Sequence, residues 1–188
     1  MSEGVALVSE KIAYQCSPVI RAVKPSNLLM LRDYGARESA WLVRRALFGT
    51  NLEARCLYGT DRNSMWLVYR KDLLAMQLAG REQRYFLEER GYTAKGLSRL
   101  LGRLSAGMGS YKRGEQEFPH ELGVFLGYPL EDVKGFILHK GKDSLCTGYW
   151  KVYGDENEAR RTFAMYDHAK EEVSESMKQG FCLRQIAI

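Results

Sequence analysis

Apolar residues recur at helical spacing over most of this chain and at strand spacing over a few short stretches, which predicts a mixed architecture. Val5, Val8, Ile12 and Cys16 stand three and four residues apart, so residues 2–16 are expected to form an amphipathic helix. Pro18 then restricts the backbone. Residues 26–31 read as a short buried strand, and residues 38–48 as a helix whose periodicity runs through Trp41, Leu42, Arg45 and Phe48. Two apolar runs, 54–58 and 65–69, flank the turn-forming segment Gly59-Thr60-Asp61-Arg62-Asn63-Ser64 and predict an antiparallel hairpin. Helices are expected over 71–79, 82–89 and 94–108, the last with Leu97, Leu100, Leu101 and Leu104 on one face and Thr93 as its cap. The glycine-rich stretch 107–115 reads as a flexible loop, not as a domain boundary.

The C-terminal third follows the same logic. A short helix over 120–126 should stop at Gly127-Tyr128-Pro129, and a second over 130–139 opens with Glu131 and Asp132, acids that suit a helix N-terminus. Residues 145–153 alternate, with Cys146, Gly148, Trp150 and Val152 on one side and Thr147, Tyr149 and Lys151 on the other, as a strand requires. Asp155 should cap a long helix to about Lys178 that ends at Gly180, and residues 182–188 read as a last strand. The expected fold class is α+β: one domain over 1–188, with a small, mainly antiparallel sheet packed by several helices.

Composition narrows the function classes. The chain has 188 residues, 45% of them hydrophobic, enough for one well-buried core. Residues 1–14 lack the basic start and unbroken apolar run of a secretory leader, and no later stretch reaches the roughly 18 apolar residues of a membrane span, so a cytoplasmic protein without a membrane is expected. Cys16, Cys56, Cys146 and Cys182 lie far apart with no C-x-x-C pair, which favours reduced thiols. The formal charge is +5, and the segment 81–114 alone holds eight basic residues against three acids. That block ranks low as a nucleic-acid site, because no aromatic platform or groove-reading motif accompanies it.

Candidate chemistry gathers in two later blocks. In Phe118-Pro119-His120-Glu121, a histidine suited to proton transfer or ligation stands beside an acid on an otherwise apolar segment. In Gly148-Tyr149-Trp150-Lys151, aromatics offer a stacking wall and Lys151 a cation for an anionic group, with Arg70 as a further cation after the hairpin. His120, Glu121, Tyr149, Trp150, Lys151 and Arg70 are thus the candidate ligand-binding residues for a small anionic or aromatic molecule, with a docked protein partner as another use of the same surface. An alternative is group transfer or hydrolysis by a thiol, Cys16 or Cys146, with His120 as base. Cys16 is poorly placed, since a helix C-terminus disfavours a thiolate unless Lys24 folds back beside it. No spacing brings cysteines and histidines onto one face as metal ligands, and no cofactor is specified; a haem held by His120 or Cys146 alone stays open.

The run F-P-H-E-L-G-V-F-L-G-Y-P-L-E-D-V-K-G-F-I, the run C-T-G-Y-W-K-V-Y-G-D, and the N-terminal pairing of Cys16-Ser17-Pro18 with Lys24-Pro25 together resemble a bacterial family catalogued only as a domain of unknown function. The likeness spans nearly the whole chain, with Ser17 standing where the family is associated with alanine. It implies membership without assigning a catalytic role to any residue.

Overall fold

The computed structural model describes residues 2–187. Its first unit is α1 (Glu3–Gln15), which buries Val5, Val8 and Ile12 as the spacing predicts, followed by the single turn α2 (Ser17–Ile20) with Pro18 in its first positions. Strand β1 (Ser26–Arg32) leads to α3 (Ala36–Ala46), and then β2 (Glu53–Gly59) and β3 (Asn63–Tyr69) form the expected hairpin. The sheet order is β1-β3-β2 with both pairings antiparallel, so β3 is central.

Both faces of β3 are covered, which explains why it reads as an unbroken apolar run. Trp66 and Val68 face one core together with Leu29 and Leu31 of β1 and the buried residues of α1, α2 and α3. Leu67 and Tyr69 face a second core, built with helices from the middle of the chain. Alternation along one strand thereby feeds two hydrophobic clusters, and a polar residue on either side of β3 would lose burial.

The second core is closed by α4 (Lys71–Ala79), α5 (Arg81–Glu88), α6 (Leu97–Lys112), the short α7 (Leu122–Phe125) and α8 (Leu130–Leu138). Beyond them a small hairpin, β4 (Cys146–Thr147) with β5 (Lys151–Val152), packs against the long α9 (Glu156–Lys178), and α10 (Leu183–Ile186) ends the described chain. The Asp155 side chain accepts from the Glu158 backbone N–H at 3.0 Å and caps α9 as expected. The fold class is α+β with an antiparallel sheet, and no helix among the described residues is long and apolar enough to cross a membrane.

Several local expectations are corrected. The buried stripe of α3 is Ser39, Leu42, Val43 and Ala46, while Trp41 is 55% and Phe48 69% exposed. Large aromatics suggested the wrong side, whereas the small residues fit the close approach of α1. The stretch 107–115 is helical as far as Lys112, because Gly107 and Met108 are buried and the Gln116 amide donates to the Gly107 carbonyl. Tertiary packing there outweighs a glycine penalty of about 1 kcal/mol per residue. Gly96, not Thr93, precedes the first turn of α6.

Residues 145–153 form two strands, not one, with a turn through Gly148, where the Gly148 N–H donates to the Trp150 carbonyl at 3.0 Å. A Cβ at Gly148 would sit 2.3 Å from the Phe163 ring, so only glycine admits α9 this closely. The expected terminal strand is instead α10, tied by the Gln185 side chain accepting from the Cys182 N–H, with Leu183 and Ala187 joining the first core; Ile188 lies outside the described residues.

Candidate functional site

The two sequence blocks that carried the candidate chemistry meet in space. A cavity of about 440 Å³ is walled by Phe118 and His120, by residues of α7 and α8 including Leu122, Val133 and Phe136, and by the hairpin from Thr147 to Lys151. Leu28 of β1, Leu126 and Tyr128 complete it from the side of the sheet. Local sequence explains each wall. Pro119 fixes the backbone ahead of His120, and Gly127, at φ +77, reverses the chain before Pro129 opens α8. Tyr128 is thus left to stack on Trp150 at 4.9 Å.

Asp132 holds the assembly together. Its carboxylate is 3% exposed and accepts from Trp150 Nε1 at 2.6 Å, from the Tyr153 N–H at 2.6 Å and from the Gly154 N–H at 2.8 Å. One acid in the first turn of α8 therefore pins the hairpin to that helix while also complementing the helix dipole. The sequence reading saw only the dipole role. The available signal was an acid beside apolar Leu130 and Val133 on the side of α8 that is buried.

Nearly every polar group on the cavity wall is satisfied within the protein. Tyr128 donates to the Tyr149 carbonyl at 3.3 Å, Tyr149 to Asp167 at 2.7 Å, and the Lys151 ammonium to the Gly141 carbonyl. Thr147 and Ser144 share a long hydroxyl contact. His120 differs: its ring lies between Phe118 at 5.4 Å and Phe136 at 5.3 Å, and its nitrogens have no hydrogen-bond partner among the described residues. Burial and the Asp167 carboxylate hold the Tyr149 phenol protonated well into the alkaline range, and burial pushes Tyr128 up to about 12.

Of the residues singled out from sequence, His120, Tyr149, Trp150 and Lys151 line this cavity. Glu121 turns away from it and faces Arg90 at 3.5 Å over a neighbouring cleft. Arg70 donates to the carbonyls of Val19 and Ile20 at the end of α2, away from the cavity lining. Cys16 is fully buried in the first core, and burial pushes its thiol up to about 12 although Lys24 does lie near enough to pull it down. Cys146 is half-buried against the cluster of Trp150, Val152, Ala159 and Tyr166 and is not part of the cavity wall. All four cysteines are free thiols, and no group of three or more potential metal ligands converges among the described residues.

The basic block forms the outer faces of α5 and α6. Several of its charges are paired: Arg84 lies 3.9 Å from Glu88, Arg113 lies 2.6 Å from Glu115, and Arg90 meets Glu121. All three pairs reduce the local field, and the two exposed ones, at Arg84 and Arg113, add little stability.

No curated protein and no solved structure matches the chain. The family described as a protein of unknown function (DUF3793) matches residues 12–187, a span that holds all of the cavity wall, and the chain belongs to that family.

Proposed function

We propose that this protein binds a flat, largely apolar small molecule in the cavity between the 118–136 segment and the 147–151 hairpin. The observation that carries the reading is His120, the one polar side chain on an aromatic wall that is left without an internal hydrogen bond among the described residues. A ligand supplies that partner. The aromatic rings contribute stacking area, and the volume of about 440 Å³ suits a small aromatic compound. Lys151 keeps spare N–H donors beyond its bond to Gly141, so an anionic substituent on the ligand fits the same wall.

Thiol catalysis is the weaker reading, since Cys16 is buried as a neutral thiol and Cys146 stands off the wall that holds His120. A nucleophile must reach its base within hydrogen-bond distance, and no bond from either thiol to His120 is present.

Binding is measured with anilinonaphthalene sulfonate, flavin mononucleotide and haemin as probes, read by probe signal and tryptophan quenching. At least one should bind the wild type. His120→Ala should weaken it about threefold to tenfold, the value of one hydrogen bond, without lowering the melting temperature. Thr147→Trp, at an exposed position on the cavity rim, should block the site. Equal binding by all three proteins, or a steep loss of stability in His120→Ala with binding retained, contradicts the reading.

A further inference from the structure

A cleft of about 380 Å³ borders the same histidine as the cavity and holds polar groups that the cavity does not use. His120 and Phe118 belong to both linings, whereas Tyr92 and Arg103 line the cleft alone of the two. Local structure places them. Gly91, at φ +82, reverses the chain after α5, and the Tyr92 N–H donates to the Leu87 carbonyl at 3.0 Å. The Tyr92 ring is thereby set against Phe125, 5.8 Å away. A Cβ at residue 91 would stand 3.3 Å from Arg103 Nη2, so glycine there also makes room for the arginine of α6.

Tyr92 is 6% exposed, and its hydroxyl has no hydrogen-bond partner among the described residues. No fully buried side-chain nitrogen or oxygen is left unpaired among them, so this hydroxyl opens onto a hollow instead of being sealed in the core. Glu121 and Arg103, the charges that act on it, line this cleft and not the neighbouring hollow between α4, α5 and α6, so the hydroxyl meets this cleft. Burial, reinforced by Glu121 and opposed by Arg103, raises the phenol above its ordinary pKa, and it stays a donor. Arg90 is already engaged, since it faces Glu121 at 3.5 Å and donates to the Phe86 carbonyl at 3.2 Å. Arg103 is not. Its Cζ lies 6.0 Å from the centre of the Tyr92 ring, and it has no ion pair or hydrogen bond among the described residues.

We propose that this cleft binds the carboxylate of a small organic acid, with the Arg103 guanidinium as its fork, the Tyr92 hydroxyl as a further donor, and Phe118, Pro119 and Ile137 against the acid's apolar part. The charge count selects the class. Arg90 and Arg103 stand against Glu117 and Glu121 around the lining, so with His120 neutral the formal charge is zero and a dianion such as phosphate gains no net field. A carboxylate carries one charge in one plane, which a guanidinium meets with two parallel N–H bonds. Glu121 does not compete for Arg103, because it faces Arg90, and Glu117 is exposed. The site is separate from the aromatic cavity and does not rest on it.

Butyrate is the probe, its affinity read by saturation-transfer NMR, with 1-butanol as the uncharged comparison and inorganic phosphate as competitor. Butyrate should bind at least about tenfold more tightly than 1-butanol, the worth of a charge-assisted contact. Arg103→Gln, at an exposed position, should weaken butyrate about tenfold or more, and Tyr92→Phe, which keeps the buried ring, about threefold to tenfold. Thr147→Trp, on the rim of the cavity, should leave butyrate binding unchanged. The proposal fails if butyrate binds no better than 1-butanol, if either cleft variant binds it like the wild type, or if phosphate displaces it at equal concentration. Binding lost in Thr147→Trp but kept in Arg103→Gln would put the acid in the cavity and overturn the proposal as well. Failure here leaves the aromatic cavity standing, because that reading is measured with other probes.

Discussion

A buried lysine without a carboxylate makes stability rise with pH, the same direction as a carboxylate whose pKa folding lowers, but in an alkaline window. Lys24 falls to about 8 in the folded chain and returns to about 10.4 on unfolding, so the unfolded state binds more protons between those values. Below pH 8 this group costs the fold on the order of 3 kcal/mol, and that cost fades as pH rises toward 10.4. Lys24→Met removes the term while keeping a side chain of similar length. In urea unfolding, Lys24→Met should exceed the wild type most at about pH 7, with the difference shrinking steadily to about pH 10.4. Cys16 runs the other way: its thiol rises to about 12, so the stability it supports is present below its unfolded value near 9 and lost as pH climbs above it. Burial, the larger cause of that rise, is common to both proteins, whereas the pull of Lys24 on the thiol is lost in Lys24→Met, so the lysine is read most cleanly below about pH 9. A difference that stays constant with pH would show that Lys24 is not a costly cation. At this scale the sequence revealed little, since a lysine followed by proline carries no mark of burial, and the tyrosines that enclose it, Tyr128 and Tyr166, lie about 100 and 140 residues further on.

The junction between α8 and the β4–β5 hairpin depends on one side chain. Asp132→Ala would leave the Trp150 indole N–H and the N–H groups of Tyr153 and Gly154 without their acceptor inside the protein. A fully buried donor left unpaired costs about 1–3 kcal/mol, and of the three only the Trp150 bond is fully buried, so a loss of at least about 1 kcal/mol is expected, with a shift in Trp150 fluorescence. A variant as stable as the wild type would show that the hairpin is held by aromatic packing alone. Elements with local signals were legible in sequence. The α1 spacing, the β2–β3 turn and the Asp155 cap all follow from residues within one or two turns of each other. The misread elements share a different cause. Whether residues 145–153 run as one strand or fold back on themselves is set by the approach of Phe163 and the grip of Asp132, neither of which is near in sequence. Likewise the glycines of α6 looked like loop residues until Gln116 and the second core held them in a helix.

For the whole molecule, the excess positive charge on α5 and α6 should act only as a diffuse field. Binding to single- or double-stranded nucleic acid is expected to be weak, independent of sequence and lost near physiological salt, because counterion release is its only drive. Tight binding that persists at that salt, weakened by charge reversal at Arg99 and Arg103, would promote the basic block to a functional surface. The chain alone established the α+β class, the antiparallel hairpin, most helix spans and the two blocks worth watching, since each of these rests on periodicity, turn chemistry or capping over short distances. It did not establish that His120 and Trp150 share a cavity, that Glu121 turns toward Arg90, or that Cys16 and Lys24 are buried together. Those facts depend on how helices and strands distant in sequence pack around one sheet, and packing follows from the mutual fit of many side chains rather than from the order of any few.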